Sequence, residues 1–260
     1  MTELSPTSHA PPIADPAAKS DYTRRALMAL GIAAAAAALL LMIDGPVAHF
    51  SRRLQPGGDL RLGGDVRRTM EFLQQFGDVA SSMIAGLCIV LLDRSMRRRM
   101  LDWIVGALAT WLAVWIVKVS LGRPRPKIVF ESPKAGFDGA VQFTPPWGTY
   151  PLPRTDGAGV VGYLERHAWE FWSGISSDLW SMPSSHTSAA AALAVGLGTM
   201  YGKLRPLMWS LVVVVGVSRV LTGSHFPSDV VLGAGLGYCV ATLSMGGRWG
   251  QRLFSRATRG

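Results

Sequence analysis

The sequence predicts an all-α fold: an integral membrane bundle of six transmembrane helices. Three observations predict it. Apolar residues are gathered into six blocks, each close to one bilayer thick, rather than spread at amphipathic spacing. Hydrophobic residues fill 49% of the 260 positions and charged residues only 17%, a membrane composition. The cations between blocks favour one set of alternating segments, as the positive-inside rule requires.

Residues 1–23 combine proline, serine, alanine and mixed charge without an apolar period, and are expected to form a disordered cytoplasmic tail. Arg24 and Arg25 then precede "ALMALGIAAAAAALLLMI", read as an uncleaved anchor because the preceding segment is long and partly acidic. Five further blocks follow, at about 76–92, 101–121, 184–201, 207–222 and 229–246. The membrane domain thus runs over 24–247, with an extended outer loop at 127–182 and a basic cytoplasmic tail at 248–260. Cys88 and Cys239 lie within apolar blocks and are expected to be small buried hydrophobes without disulfide chemistry.

With the N-terminus inside, the inner segments carry Lys19, Arg24, Arg25, Arg94, Arg97, Arg98, Arg99, Lys203, Arg205, Arg248, Arg252, Arg256 and Arg259. The first outer loop, "SRRLQPGGDLRLGGDVRR", is also basic, and is read as glycine-broken segments lying on the membrane surface. A net charge of +9 would suggest nucleic acid in a soluble chain. Here the cations flank apolar blocks, so anchoring to the bilayer explains them and no nucleic-acid partner is expected.

Ionisable residues that break this pattern are functional candidates, because charge inside a bilayer is costly unless paired or wet. They fall in three stretches: "KVSLGRPRP" ending the third block, "PSSHTS" opening the fourth and "SRVLTGSHFPSD" ending the fifth. Six alternating spans put all three at one membrane face. Lys118, Arg125 and Arg219 make a positive cradle suited to phosphate, with arginine adding a planar fork of donors. Pro183 fits the first turn of the fourth helix, leaving backbone N–H groups near Ser184 and Ser185 as an anion site. Asp229, one turn beyond His225, can orient that imidazole. Three neighbouring cations argue against a divalent ion, so no metal or other cofactor is expected.

Together these stretches resemble the three signature motifs of the type 2 phosphatidic acid phosphatase superfamily. Lys118 lies the family's distance before Arg125-Pro126; Pro183-Ser184-Ser185-His186 matches Pro-Ser-x-His; and Ser218-Arg219, His225 and Asp229 match the third motif in spacing. Ser185 departs from the glycine common in the family. The resemblance implies that His225 is the nucleophile, Asp229 its orienting partner and His186 the acid that protonates the leaving alkoxide. It implies a lipid phosphate or diphosphate as substrate, hydrolysed through a phosphohistidine at the outer face of the cell inner (plasma) membrane. A phosphotransferase using the same intermediate is the alternative enzyme; a phospholipid binder or transporter is the alternative without chemistry. The aromatics of the long loop, Trp147, Tyr150, Tyr163, Trp169, Trp172 and Trp180, are expected to anchor it at the interface rather than touch substrate.

Overall fold

The computed structural model describes residues 16–55, 57–60, 62–127, 143, 146–155, 160–173 and 179–257. It is built from helices α1 (Pro16–Leu54), α2 (Gly64–Leu73), α3 (Val79–Leu92), α4 (Arg97–Leu121), α5 (Ser185–Met200), α6 (Arg205–Leu221), α7 (Pro227–Gly247) and α8 (Trp249–Ala257). In lipid every backbone polar group must be bonded internally, so apolar blocks of this length resolve into helices.

Among the described residues, four helical stretches are long and apolar enough to cross a membrane: Ser20–Leu54, Arg94–Leu121, Gly202–Leu221 and Pro227–Gly247. The second block of the sequence is instead a bent pair, 64–77 followed by α3 at 58°. Asp78 makes that break by leaving helical geometry and capping α3, its carboxylate accepting from the Ala80 N–H at 3.3 Å. The fourth block, α5, has 16 residues, or about 24 Å, against a hydrocarbon core of about 30 Å. Among the described residues this gives four helices able to cross, or five with the bent pair counted as one span, while α5 alone falls short of the hydrocarbon thickness.

Shortness suits the position of α5, which is the core of the bundle. Eleven of its residues are buried. Ala190, Ala191, Leu193, Ala194 and Leu197 pack against Trp103 of α4, Met208, Val212 and Val215 of α6, and Met245 of α7. Small residues set the closest crossing, since hydrophobic force is weak between helices in lipid and backbone approach matters more. A Cβ on Gly233 would come within 2.6 Å of the Ser184 carbonyl oxygen, and one on Gly237 would collide with the Ser188 carbonyl. The "GAGLG" run of α7 therefore brings its second and third turns against the first turn of α5.

Several sequence expectations change here. Residues 16–23, read as tail, are helical, and residues 1–15 lie outside the described part. Residues 249–257 form α8, tied down where Gln251 donates to the buried Asp102 carboxylate through its backbone N–H (3.0 Å) and Nε2 (2.6 Å). Cys88 is exposed on α3 while Cys239 is buried, because α3 packs along one narrow stripe. The long loop contains an antiparallel hairpin, β1 (Tyr150–Thr155) with β2 (Val160–Arg166), so the fold is not purely helical. In the basic first loop Arg53 pairs with Asp59 at 2.6 Å, Arg67 with Glu71 at 2.8 Å and Arg68 with Asp65 at 3.7 Å, all exposed pairs.

Candidate active site

The end of α4, the start of α5, the end of α6 and the start of α7 meet at one end of the bundle. Gly122 stops α4 in the left-handed region (φ 56°), which glycine adopts without penalty. Each arginine of the following "RPRP" precedes a proline and is thereby held extended. Gly223 (φ 65°) does the same service after α6, turning the chain so that the His225 N–H bonds the Arg219 carbonyl at 3.1 Å. The Ser184 N–H donates to the Asp229 carbonyl at 2.9 Å, and the Ser181 N–H to the Arg123 carbonyl at 2.9 Å. These backbone bonds fasten the three motif stretches to one another.

His225 is 1% exposed, and its Nδ1 lies 3.6 Å from Asp229 Oδ2. The same carboxylate oxygen accepts from Ser181 Oγ at 2.5 Å and from the Phe226 N–H at 2.8 Å, which fixes its direction. Nε2 of His225 is buried and has no hydrogen-bond partner among the described residues. Burial, only partly offset by Asp229, holds the imidazole down at about 3, so the ring is neutral. Ser181 Oγ lies 3.5 Å from the same Nδ1, and a neutral imidazole with its proton on that nitrogen presents the Nε2 lone pair, the form needed for attack.

Lys118 and Arg125 act electrostatically on this histidine, and Arg219 acts on His186. The Lys118 ammonium donates to the Trp180 carbonyl, and Arg219 Nη1 donates to Gln74 Oε1 at 2.9 Å. Arg219 Nε has no partner among the described residues. Arg125 lies within Coulombic reach of Lys118, Arg219, His186 and His225. His186 is half-buried at the mouth, facing Arg219 and Asp78. Ser184 is fully buried as the N-cap of α5; its hydroxyl oxygen accepts from the Thr187 backbone N–H at 3.5 Å and from Thr187 Oγ1 at 3.0 Å. The first backbone N–H groups of α5, at Ser185 and His186, have no acceptor within their own helix by position.

Sequence reasoning missed a second layer behind the histidine. Arg123, 1% exposed, bridges two buried carboxylates: Nη1 reaches Asp229 Oδ1 at 2.5 Å and Nη2 reaches Asp44 Oδ2 at 2.6 Å. Ser228 joins them, accepting from Arg123 Nη1 at 2.7 Å and donating both its N–H (3.1 Å) and its hydroxyl to Asp44. The guanidinium also lies over the Phe226 ring at 4.0 Å. Gln74, Asp78 and Ser181 were missed as well. The signal for Asp44 was present, a lone carboxylate at the end of an apolar block.

A cleft of about 590 Å³ opens between α3 and α4 and reaches His186. Trp103, Leu108, Trp111 and Val114 give it apolar walls, and Asp78 and Ser185 stand at its polar end. The loop aromatics divide: Tyr150 is buried, Trp180 serves Lys118 through its carbonyl, and Trp147, Trp169 and Trp172 are exposed. Among the described residues no group of three or more His, Cys, Asp or Glu side chains is arranged to hold a metal ion.

A family model described as the PAP2 superfamily matches residues 99–252. Decaprenylphosphoryl-5-phosphoribose phosphatase from Mycobacterium tuberculosis, in strains CDC 1551 / Oshkosh and ATCC 25618 / H37Rv, is 39% identical over 69 residues. That match covers 26% of this chain and 38% of the relative, so the chain spans well under half the length of the curated relatives it matches. The crystal structure of a transmembrane PAP2-type phosphatidylglycerolphosphate phosphatase from Bacillus subtilis aligns with a TM-score of 0.53 at 17% identity. It covers 87% of this chain and 96% of that one, a likeness of fold.

Proposed function

Since the chain belongs to the PAP2 superfamily, we propose that it is a metal-independent lipid phosphatase, hydrolysing a lipid phosphate or diphosphate through a phosphohistidine. The observation that carries this reading is His225: neutral, with the Asp229 carboxylate 3.6 Å and the Ser181 hydroxyl 3.5 Å from Nδ1, Nε2 without a partner among the described residues, and Lys118 and Arg125 within electrostatic range. Its Nε2 lone pair attacks phosphorus and the ester P–O bond breaks. The proton of His186 goes to the leaving alkoxide. Water then attacks phosphorus, returns a proton to His186 and breaks the P–N bond, releasing inorganic phosphate. Lys118, Arg125, Arg219 and the first N–H groups of α5 at Ser185 and His186 stabilise the equatorial oxygens, where most of the catalytic gain in phosphoryl transfer lies, while Ser184, whose own N–H is taken by the Asp229 carbonyl, caps that helix end. The apolar cleft supports a substrate with a hydrophobic tail.

Phosphate release by purified protein tests this across phosphatidate, phosphatidylglycerol phosphate, an isoprenyl diphosphate, a phosphorylated sphingoid base, a lipid A phosphate and a polyprenylphosphoryl pentose phosphate. At least one should be hydrolysed, with vanadate inhibiting and EDTA without effect. Loss of activity in EDTA, restored by zinc or magnesium, would contradict the mechanism.

Counting α3 and α5 as crossings gives six spans, with the site at the outer face of the inner (plasma) membrane. Sidedness follows from one labelling experiment on intact cells, in a Cys88→Ala background because that thiol is exposed. Gly162→Cys, in β2 where a Cβ meets open space, should react with an impermeant thiol reagent; Ser95→Cys should be protected. The reverse pattern would put the site on the cytoplasmic face. Residues 156–159 lie outside the described part of the loop, whereas Gly162 is inside it.

A further inference from the structure

The end of the bundle opposite the candidate active site carries a second cavity, of about 490 Å³. Four arginines line it, each from a different segment: Arg25 on α1, Arg99 at the start of α4, Arg205 at the start of α6 and Arg248 just beyond α7. The helices themselves fix its distance from the catalytic end. Arg25 and Asp44 on α1, like Arg99 and Lys118 on α4, are separated by about 28 Å of helix, nearly the hydrocarbon thickness. The cavity therefore belongs to the other leaflet.

Its charge is not cancelled internally. Arg25 pairs with Asp21 at 2.6 Å, but both are well exposed. Arg99 lies 3.7 Å from Asp102, whose carboxylate is already bonded by Gln251, and donates to the Met245 carbonyl at 3.0 Å. Arg205, which lines the cavity, uses Nε on the Gly198 carbonyl at 2.8 Å. No carboxylate lines the cavity among the described residues. Trp209 and Tyr238, 5.8 Å apart between ring centres, form an aromatic wall. Forked cationic donors with aromatic rings at a membrane surface match a phosphate-bearing headgroup continuing into acyl chains.

We infer that this cavity binds a phosphate-bearing anion, supplied as the headgroup of an anionic phospholipid in the leaflet opposite the candidate active site. The inference does not depend on the phosphatase reading, because it concerns binding at other residues. The test is thermal unfolding of the purified full chain in neutral detergent, titrated with phosphatidylglycerol, phosphatidylcholine or inorganic phosphate. Phosphatidylglycerol should raise the midpoint saturably and phosphatidylcholine should not. Arg205→Gln/Arg248→Asn should weaken that binding roughly 10- to 30-fold. Arg248→Asn alone guards against misfolding, since position 248 is left-handed (φ 51°), a conformation asparagine tolerates, and it should give part of the effect. Lys118→Ala should keep the full response.

Equal shifts from both lipids would overturn the inference. So would loss of the response in Lys118→Ala with retention in the double variant, which would place the lipid at the catalytic end. An equal cavity-dependent shift from inorganic phosphate would overturn the lipid assignment.

Discussion

His186→Ala is expected to lose about 10²- to 10⁴-fold of turnover on a lipid monophosphate, the range typical of a general acid. On para-nitrophenyl phosphate the same variant should form phosphoenzyme comparatively well. A lipid alkoxide is strongly basic and needs a proton as it departs, whereas the nitrophenolate needs little. Hydrolysis of the intermediate should stay slow with either substrate, because the same imidazole activates water, so phosphoenzyme should accumulate. The half-buried position of His186, between the apolar cleft and Arg219, is where a leaving group attached to a lipid tail would emerge. Rapid-quench measurement of phosphoenzyme formation reads the difference. An equal loss on both substrates would refute the assignment of His186 as acid.

Asp44→Ala is expected to damage both stability and activity, although Asp44 does not contact His225. It leaves Arg123 buried with Asp229 as its one remaining counter-ion, and breaking a buried ion pair costs about 3–5 kcal/mol. Folded domains have only about 5–15 kcal/mol in total, so unfolding in detergent should occur at a clearly lower temperature. Asp229 would then be drawn toward Arg123 alone and lose its fixed direction toward Nδ1. Asp44→Asn keeps acceptors for Arg123 and Ser228 and should retain more activity than Asp44→Ala. A similar kcat in both variants, measured below their unfolding temperatures, would show that Asp44 plays no part in orienting the site.

The candidate catalytic end was legible in the sequence because its residues conflict with their surroundings. His225, Asp229, Arg219 and Lys118 stand at the margins of apolar blocks, where charge is expensive, and the structure gathers those stretches at one end of the bundle. Arg123 was legible only as half of a repeat, since "RPRP" offers two arginines and spacing selected Arg125. Its partner Asp44 lies 79 residues away on α1, a pairing that no local pattern reveals. Local patterns also mislead about spans. Apolar composition does not distinguish a helix that faces lipid from one, like α5, that is enclosed by its neighbours and need not match the bilayer thickness alone. The hairpin at 150–166 went unread because prolines and glycines dominate that loop, while its pairing, such as Leu152 with Leu164, depends on contacts across the turn.

The central claim is that His225 carries the phosphoryl group. Its most direct measurement is the site of label after rapid quench with substrate radiolabelled at phosphorus, in the His186→Ala background where the intermediate should persist. The account predicts one acid-labile, alkali-stable phosphoryl group per chain, on the peptide containing His225, and none when His225→Ala is added. Label on His186 or a serine in an otherwise unmutated site, or unchanged phosphate release by His225→Ala, would contradict it.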